Sequence, residues 1–266
     1  MSRQRIDWIT LGRRYPWLAA IALILLLIIG AGYLLVRLRS RLRGPESTTT
    51  TTSASEPGAA AGMPEMPVKP QPINAPFKGC PPEGDGGDPA LNRLKNRIDE
   101  GNYVPVSFDA IAQLQWPEGV ERRRRSKWSA SDAQAVARYE GIPVVVEGYL
   151  AASKLEGPES PNCHGADNEF RDFHIWVTKN AEDDRKGSIV VETTPPVRAN
   201  HPNWRTDLLG QIARKDQRVR ISGWLMLDPE HPDQVGKTRG TIWEVHPVMK
   251  IEVLDGDRWT NIDAMR

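Results

Sequence analysis

Apolar positions follow three different patterns along the chain. From Trp17 to Val36 twenty consecutive residues carry no charge. At a rise of about 1.5 Å per residue such a helix crosses a hydrocarbon core of ~30 Å. Arg37, Arg39, Arg41 and Arg43 follow at once in a stop-transfer pattern. The reading is an uncleaved transmembrane helix at 17–36 behind a basic tail at 1–16. The rival, a cleaved signal peptide, calls for an apolar core of only about 7–15 residues and a small-x-small site.

Between 80 and 140 the apolar spacing is helical. Asp88-Pro89 supplies a cap and a first-turn proline ahead of Leu91, Leu94 and Ile98, with Gly101 as the stop. Ser107 starts a second helix reaching Gln115, and Ser131-Asp132 a third, ended by Gly141. From 141 the period changes to two. Ile142–Leu150, Arg171–Thr178, Ser188–Thr193, Arg218–Leu227 and Thr241–Leu254 read as five strands, with a helix from Trp204 to Arg214 between the third and fourth. Pro195–Pro202 reads as a loop.

Composition separates these regions further. Residues 37–79 combine the basic flank with a Thr/Ser/Pro/Ala tract holding almost no large apolar side chains, read as a disordered spacer. Residues 1–79 carry a net charge of +6 and residues 80–266 a net charge of −5. The folded part therefore lacks the basic field of a phosphate-driven nucleic-acid binder. The arginines flanking the span nearly balance. The stalk-like spacer and the two cysteines favour a periplasmic, extracytoplasmic position for the folded part. In that compartment Cys80 and Cys163 are disulfide candidates; in the cytoplasm they are free thiols.

The order β-β-β-α-β-β, with Gly148 and Gly223 inside strands, resembles the OB-fold over residues 141–255, with 256–266 as a tail. Trp224–Asp233 and Arg239–Val248 are similar to segments of uncharacterised bacterial membrane-anchored OB-like proteins. The fold class implied is α+β, mainly β: a five-stranded Greek-key barrel with a helical prefix. OB-folds bind ligands on the face of their second and third strands and in the loops beside it. That places His174, Trp176, Glu192, His231, Lys237 and Arg239 around a ligand. The competing reading has Trp176 packed under the helical prefix.

His174, Glu192, Glu244 and His246 share the outward parity, and zinc accepts imidazole and carboxylate ligands. They lack H-E-x-x-H or C-x-x-C spacing, so no metal is assigned from sequence. No P-loop, GxSxG or kinase signature is present. The expectation is a non-catalytic, cofactor-free binding module, anchored in lipid through 17–36, with a protein, glycan or oligonucleotide ligand. Alternatives are a cytoplasmic single-stranded nucleic-acid binder and a metal-dependent hydrolase. The basic run Glu121–Lys127 reads as a solvated edge.

Overall fold

The computed structural model describes residues 62–265. The expected span at 17–36 lies outside them, and among the described residues no helix is long and apolar enough to cross a membrane. Seven strands are present: β1 (Val104–Val106), β2 (Pro143–Leu155), β3 (Phe173–Thr178), β4 (Ile189–Thr193), β5 (Arg218–Leu227), β6 (Trp243–Asp255) and β7 (Arg258–Asn261). Among the described residues five α-helices accompany them: α1 (Pro89–Lys95), α2 (Phe108–Ala112), α3 (Ala130–Ala137), α4 (Pro195–Arg198) and α5 (Thr206–Arg214).

Strands β2 to β6 close into a five-stranded barrel in the order β2-β3-β4-β6-β5, with β5 returning to β2. All pairings in the ring are antiparallel except β4 with β6, which run parallel through Val190↔Glu244 and Val191↔Val245. This closed mainly-β barrel, with α5 between β4 and β5, is compatible with an OB-like fold. Closure satisfies every edge within the ring. The long strand β2 serves two neighbours in turn. Pro143–Tyr149 pairs with β5, and Tyr149–Leu155 pairs with β3 across a register shift at Leu150/Ala152. Bulges of this kind let a short barrel coil.

The alternating apolar positions meet inside. Val144, Val146, Ile175, Val177, Val191, Val219, Ile221 and Val245 form one buried cluster. Phe173 is only half-buried, packed against that cluster with the Arg198 guanidinium 4.1 Å from its ring. Both strand glycines answer a close approach. A Cβ on Gly148 would lie 2.5 Å from the Thr178 carbonyl oxygen. One on Gly223 would lie 2.4 Å from the Pro247 carbonyl oxygen, where the β5–β6 register shifts.

Several boundaries differ from those read in the sequence. Helix α1 ends at Lys95, capped by Asn96, rather than at Gly101, because Arg97 leaves the helix to bridge to Asn74 and lay its guanidinium 3.3 Å from the Trp224 ring centroid. Ser129, not Ser131, caps α3 by accepting from the Asp132 N–H. Pro195–Pro202 opens with a helical turn, α4, whose prolines occupy first-turn positions that need no N–H donor. The tail forms the hairpin strand β7 on β6. Residues 62–79, assigned above to the spacer, lie against the barrel unit: Met63 is buried and Asn74 donates to the Arg93 carbonyl. The strip has few apolar side chains, so its attachment rests on such single anchors.

Candidate functional site

The outer wall of β3, β4 and β6 is covered rather than open. Helix α1 and the segments 156–172 and 228–240 close over it, so His174, Trp176 and Glu192 are buried although they point away from the barrel interior. Covering this wall leaves a cavity of about 110 Å³. His174, Trp176, Glu192, His231 and Arg239 line it, together with Lys95, Lys154, Glu156, Glu159, Asp228, Gln234 and Glu244. Lys237 is exposed and is not part of the lining. Five of the six residues expected from sequence are thus brought together from three separate segments.

Trp176 offers little open ring. The His174 ring lies 4.3 Å away centroid to centroid, and the Arg185 guanidinium is 4.8 Å from the indole centroid. Trp176 borders the cavity, and its ring neighbours His174, Lys154 and Arg185 all lie outside the helical prefix.

Charge is concentrated here to a degree the sequence does not announce. The His174 Nδ1 lies 2.7 Å from Glu192 Oε1 and 3.0 Å from Glu156 Oε1. Arg239 Nη1 donates to Glu244 Oε1 at 2.5 Å and to Asp228 Oδ2 at 3.0 Å. The Asp228 Oδ2 also pairs with His231 Nδ1 at 2.7 Å. Deeper in the wall, His246 Nδ1 sits 3.3 Å from Glu192 Oε2 and 3.5 Å from Glu244 Oε2, and its Nε2 sits 3.9 Å from Asp172 Oδ2. Asn162 donates to the other Asp172 oxygen at 2.9 Å.

The proton affinities follow from this crowding. Burial pushes the Asp172 carboxyl up to about 6 and the Glu159 carboxyl up to about 7. Burial opposes the charge on His174, but the Glu192 carboxylate and the hydrogen bonds to Glu156 and Glu192 raise its ring to about 9. Burial likewise opposes ionisation of Glu192, and the His174 charge and hydrogen bond outweigh it, holding the carboxyl well below the usual range.

Sequence reading missed Lys95, Glu156, Glu159, Asp172 and Asp228. Asp172 carried a usable signal, since it shares the outward parity of His174 and Trp176 two and four residues on. Glu156 and Glu159 lie beyond the expected end of the first strand, and nothing local marks their return to the wall. The four residues considered as metal ligands, His174, Glu192, Glu244 and His246, do converge, because β4 lies between β3 and β6 and bridges their side chains. The basic run resolves differently: Arg125 is partly buried and donates to Glu140 and to the Leu227 carbonyl, while Arg122 pairs with Asp233 at the surface.

Cys80 and Cys163 form a disulfide, with Cα atoms 5.8 Å apart. It ties the start of the helical prefix to the segment roofing the cavity. Comparison with protein-family models and with curated proteins gives no match to this chain.

Proposed function

We propose that the chain is a single-pass, membrane-anchored binding module of the bacterial envelope, and that its OB-like barrel recognises a partner through the cavity on the β3–β4–β6 wall. The observation that carries this reading is the convergence of His174, Trp176, Glu192, His231 and Arg239 on one small polar cavity. A space of about 110 Å³ admits one side-chain-sized group. It has no room for a sugar chain or a stacked base, and the carboxylate excess disfavours phosphate. The ligand class that fits is a protein partner presenting a basic side chain. The disulfide accords with an oxidising compartment, and the apolar run at 17–36 with tethering, which raises local concentration.

The test is site-specific photocrosslinking in intact cells. A photoreactive residue at Gln234, on the cavity lip, is expected to give a discrete protein adduct that Glu192→Gln abolishes. The same residue at Glu182, on an exposed turn, is expected to give none. Absence of the Gln234 adduct, or the same adduct from Glu182, overturns the reading. Alkaline phosphatase fused after Arg266 reports the side of the membrane: activity supports the extracytoplasmic position, and an inactive fusion removes it.

A further inference from the structure

We propose that Asp172, Glu192 and His246 form a binding site for one divalent transition-metal ion of the zinc class, buried beneath the wall of the cavity. Each residue offers one ligand atom, and the three atoms lie within 4.8 Å of one another. Metal–ligand bonds of about 2.0–2.2 Å place neighbouring ligand atoms ~3–4 Å apart, so small side-chain rotations complete the set.

Three observations separate this arrangement from an ordinary buried ion network. First, two of the three candidate ligands, Asp172 through Oδ2 and His246 through both ring nitrogens, are left without an aligned hydrogen-bond partner. Neither ring nitrogen of His246 makes a hydrogen bond, nor does Asp172 Oδ2, although both residues are 1% exposed. A purely structural network satisfies such atoms, because leaving them dry and unpaired costs on the order of 1–3 kcal/mol each. Nδ1 lies within ion-pair range of Glu192 and Glu244, but the approach lacks hydrogen-bond alignment.

Second, the supporting groups are already in place. Asn162 holds Asp172 through Oδ1 and leaves Oδ2 turned toward His246. His174 holds Glu192 through Oε1 and leaves Oε2 facing the same ring at Nδ1, whereas Asp172 Oδ2 faces Nε2, so one carboxylate turns to the other's nitrogen when a single ion binds. Fixing a ligand through its second atom is what outer-shell partners do at metal centres.

Third, the charge balance is incomplete. Six carboxylates (Glu156, Glu159, Asp172, Glu192, Asp228 and Glu244) face three permanent cations, Lys95, Lys154 and Arg239, and the His174 ring that Glu156 and Glu192 hold charged. A divalent cation offsets the two negative charges that remain. An imidazole between carboxylates suits zinc or manganese; magnesium and calcium prefer all-oxygen sets. Three protein ligands leave a coordination position open.

This inference goes beyond the recognition reading and uses no partner, so either one fails without the other. The test is equilibrium dialysis of the tag-free full chain in detergent, stripped with EDTA and then exposed to Zn²⁺, Mn²⁺ or Mg²⁺, with metal counted by mass spectrometry. About one Zn²⁺ per chain is expected, with weaker Mn²⁺ and no Mg²⁺ retention. Asp172→Asn preserves shape and still accepts from Asn162. It is expected to weaken Zn²⁺ binding at least about tenfold, as is His246→Gln, while His231→Ala leaves it unchanged. Zn²⁺ is also expected to raise the thermal midpoint of the parent chain and not of Asp172→Asn. Substoichiometric zinc on a chain that unfolds cooperatively overturns the proposal. So does binding undiminished in both folded variants.

Discussion

Removing the Arg239 side chain tests how the covered wall is held together. Its guanidinium is 1% exposed and bridges Asp228 and Glu244, which are themselves buried. In Arg239→Ala both carboxylates lose their shared cation in a space with little access to water. Breaking a buried pair from one side costs about 3–5 kcal/mol, most of it the desolvated charge left behind. For a unit of this size each kcal/mol lowers the thermal midpoint by about 2–4 °C, so a fall of about 10 °C is expected.

The assay is thermal and urea unfolding of the full chain in detergent with EDTA, followed by tryptophan fluorescence. Lys237→Ala, on the same segment but exposed, serves as the control and is expected to change stability by less than about 0.5 kcal/mol. A second signature is pH dependence. Burial opposes ionisation of Asp228, but His231, Lys95 and Arg239 hold its carboxyl well below the usual range. A carboxyl depressed in the folded state contributes stability above its unfolded pKa and loses it as pH falls. Part of that contribution is absent in Arg239→Ala, so the gap between parent and variant narrows as pH falls below ~4. If Arg239→Ala and Lys237→Ala unfold together at neutral pH, the bridging role is refuted.

The remaining predictions concern the frame around that wall. Gly223→Ala forces a Cβ to within 2.4 Å of the Pro247 carbonyl and is expected to destabilise the chain by about 2 kcal/mol or more, read as a lower urea midpoint at unchanged slope; an unchanged midpoint refutes the close approach. Cys80→Ser opens a loop with a sequence separation of 83 and is expected to cost about 4 kcal/mol in the chain-entropy model, checked by denaturation beside the parent chain with and without reductant. Without metal, three buried groups are expected to make stability fall between pH ~4 and pH ~9, Asp172 and Glu159 over the acid half and His174 over the alkaline half. The Asp172 carboxyl, near 6, the Glu159 carboxyl, near 7, and the His174 ring, near 9, all have folded values above their unfolded ones, so each contributes below its unfolded pKa and loses that contribution as pH rises. Midpoints measured at several pH values in EDTA check this slope, and His174→Gln is expected to flatten its alkaline half.

The barrel was legible because its signal is local. Period-two alternation marks Ile175, Val177, Val219 and Ile221 as inward, and all four are fully buried. The glycines at 148 and 223 marked bends, and each sits where a Cβ has no room. The outward residues of the same strands were legible by parity, which is why His174, Glu192, Glu244 and His246 were grouped before their distances were known. What parity lacks is the third dimension. Lys95 comes from a helix, Asp228 from a loop, and Glu156 from the far end of a strand longer than its apolar run, so only the chain's return places them on the wall. The short strands β1 and β7 escaped because three or four residues give too little alternation to stand out.

The disulfide also decides how the unit bears load. A pull on the chain ahead of Cys80 does not travel residue by residue through α1, α2, α3 and β2. It crosses the sulfur bridge to Cys163 and reaches β3 through the segment beside the cavity. Everything between the two cysteines is mechanically bypassed. Strain arriving along the chain ahead of Cys80 is therefore felt at the mouth of the pocket before it reaches the cylinder of strands behind it.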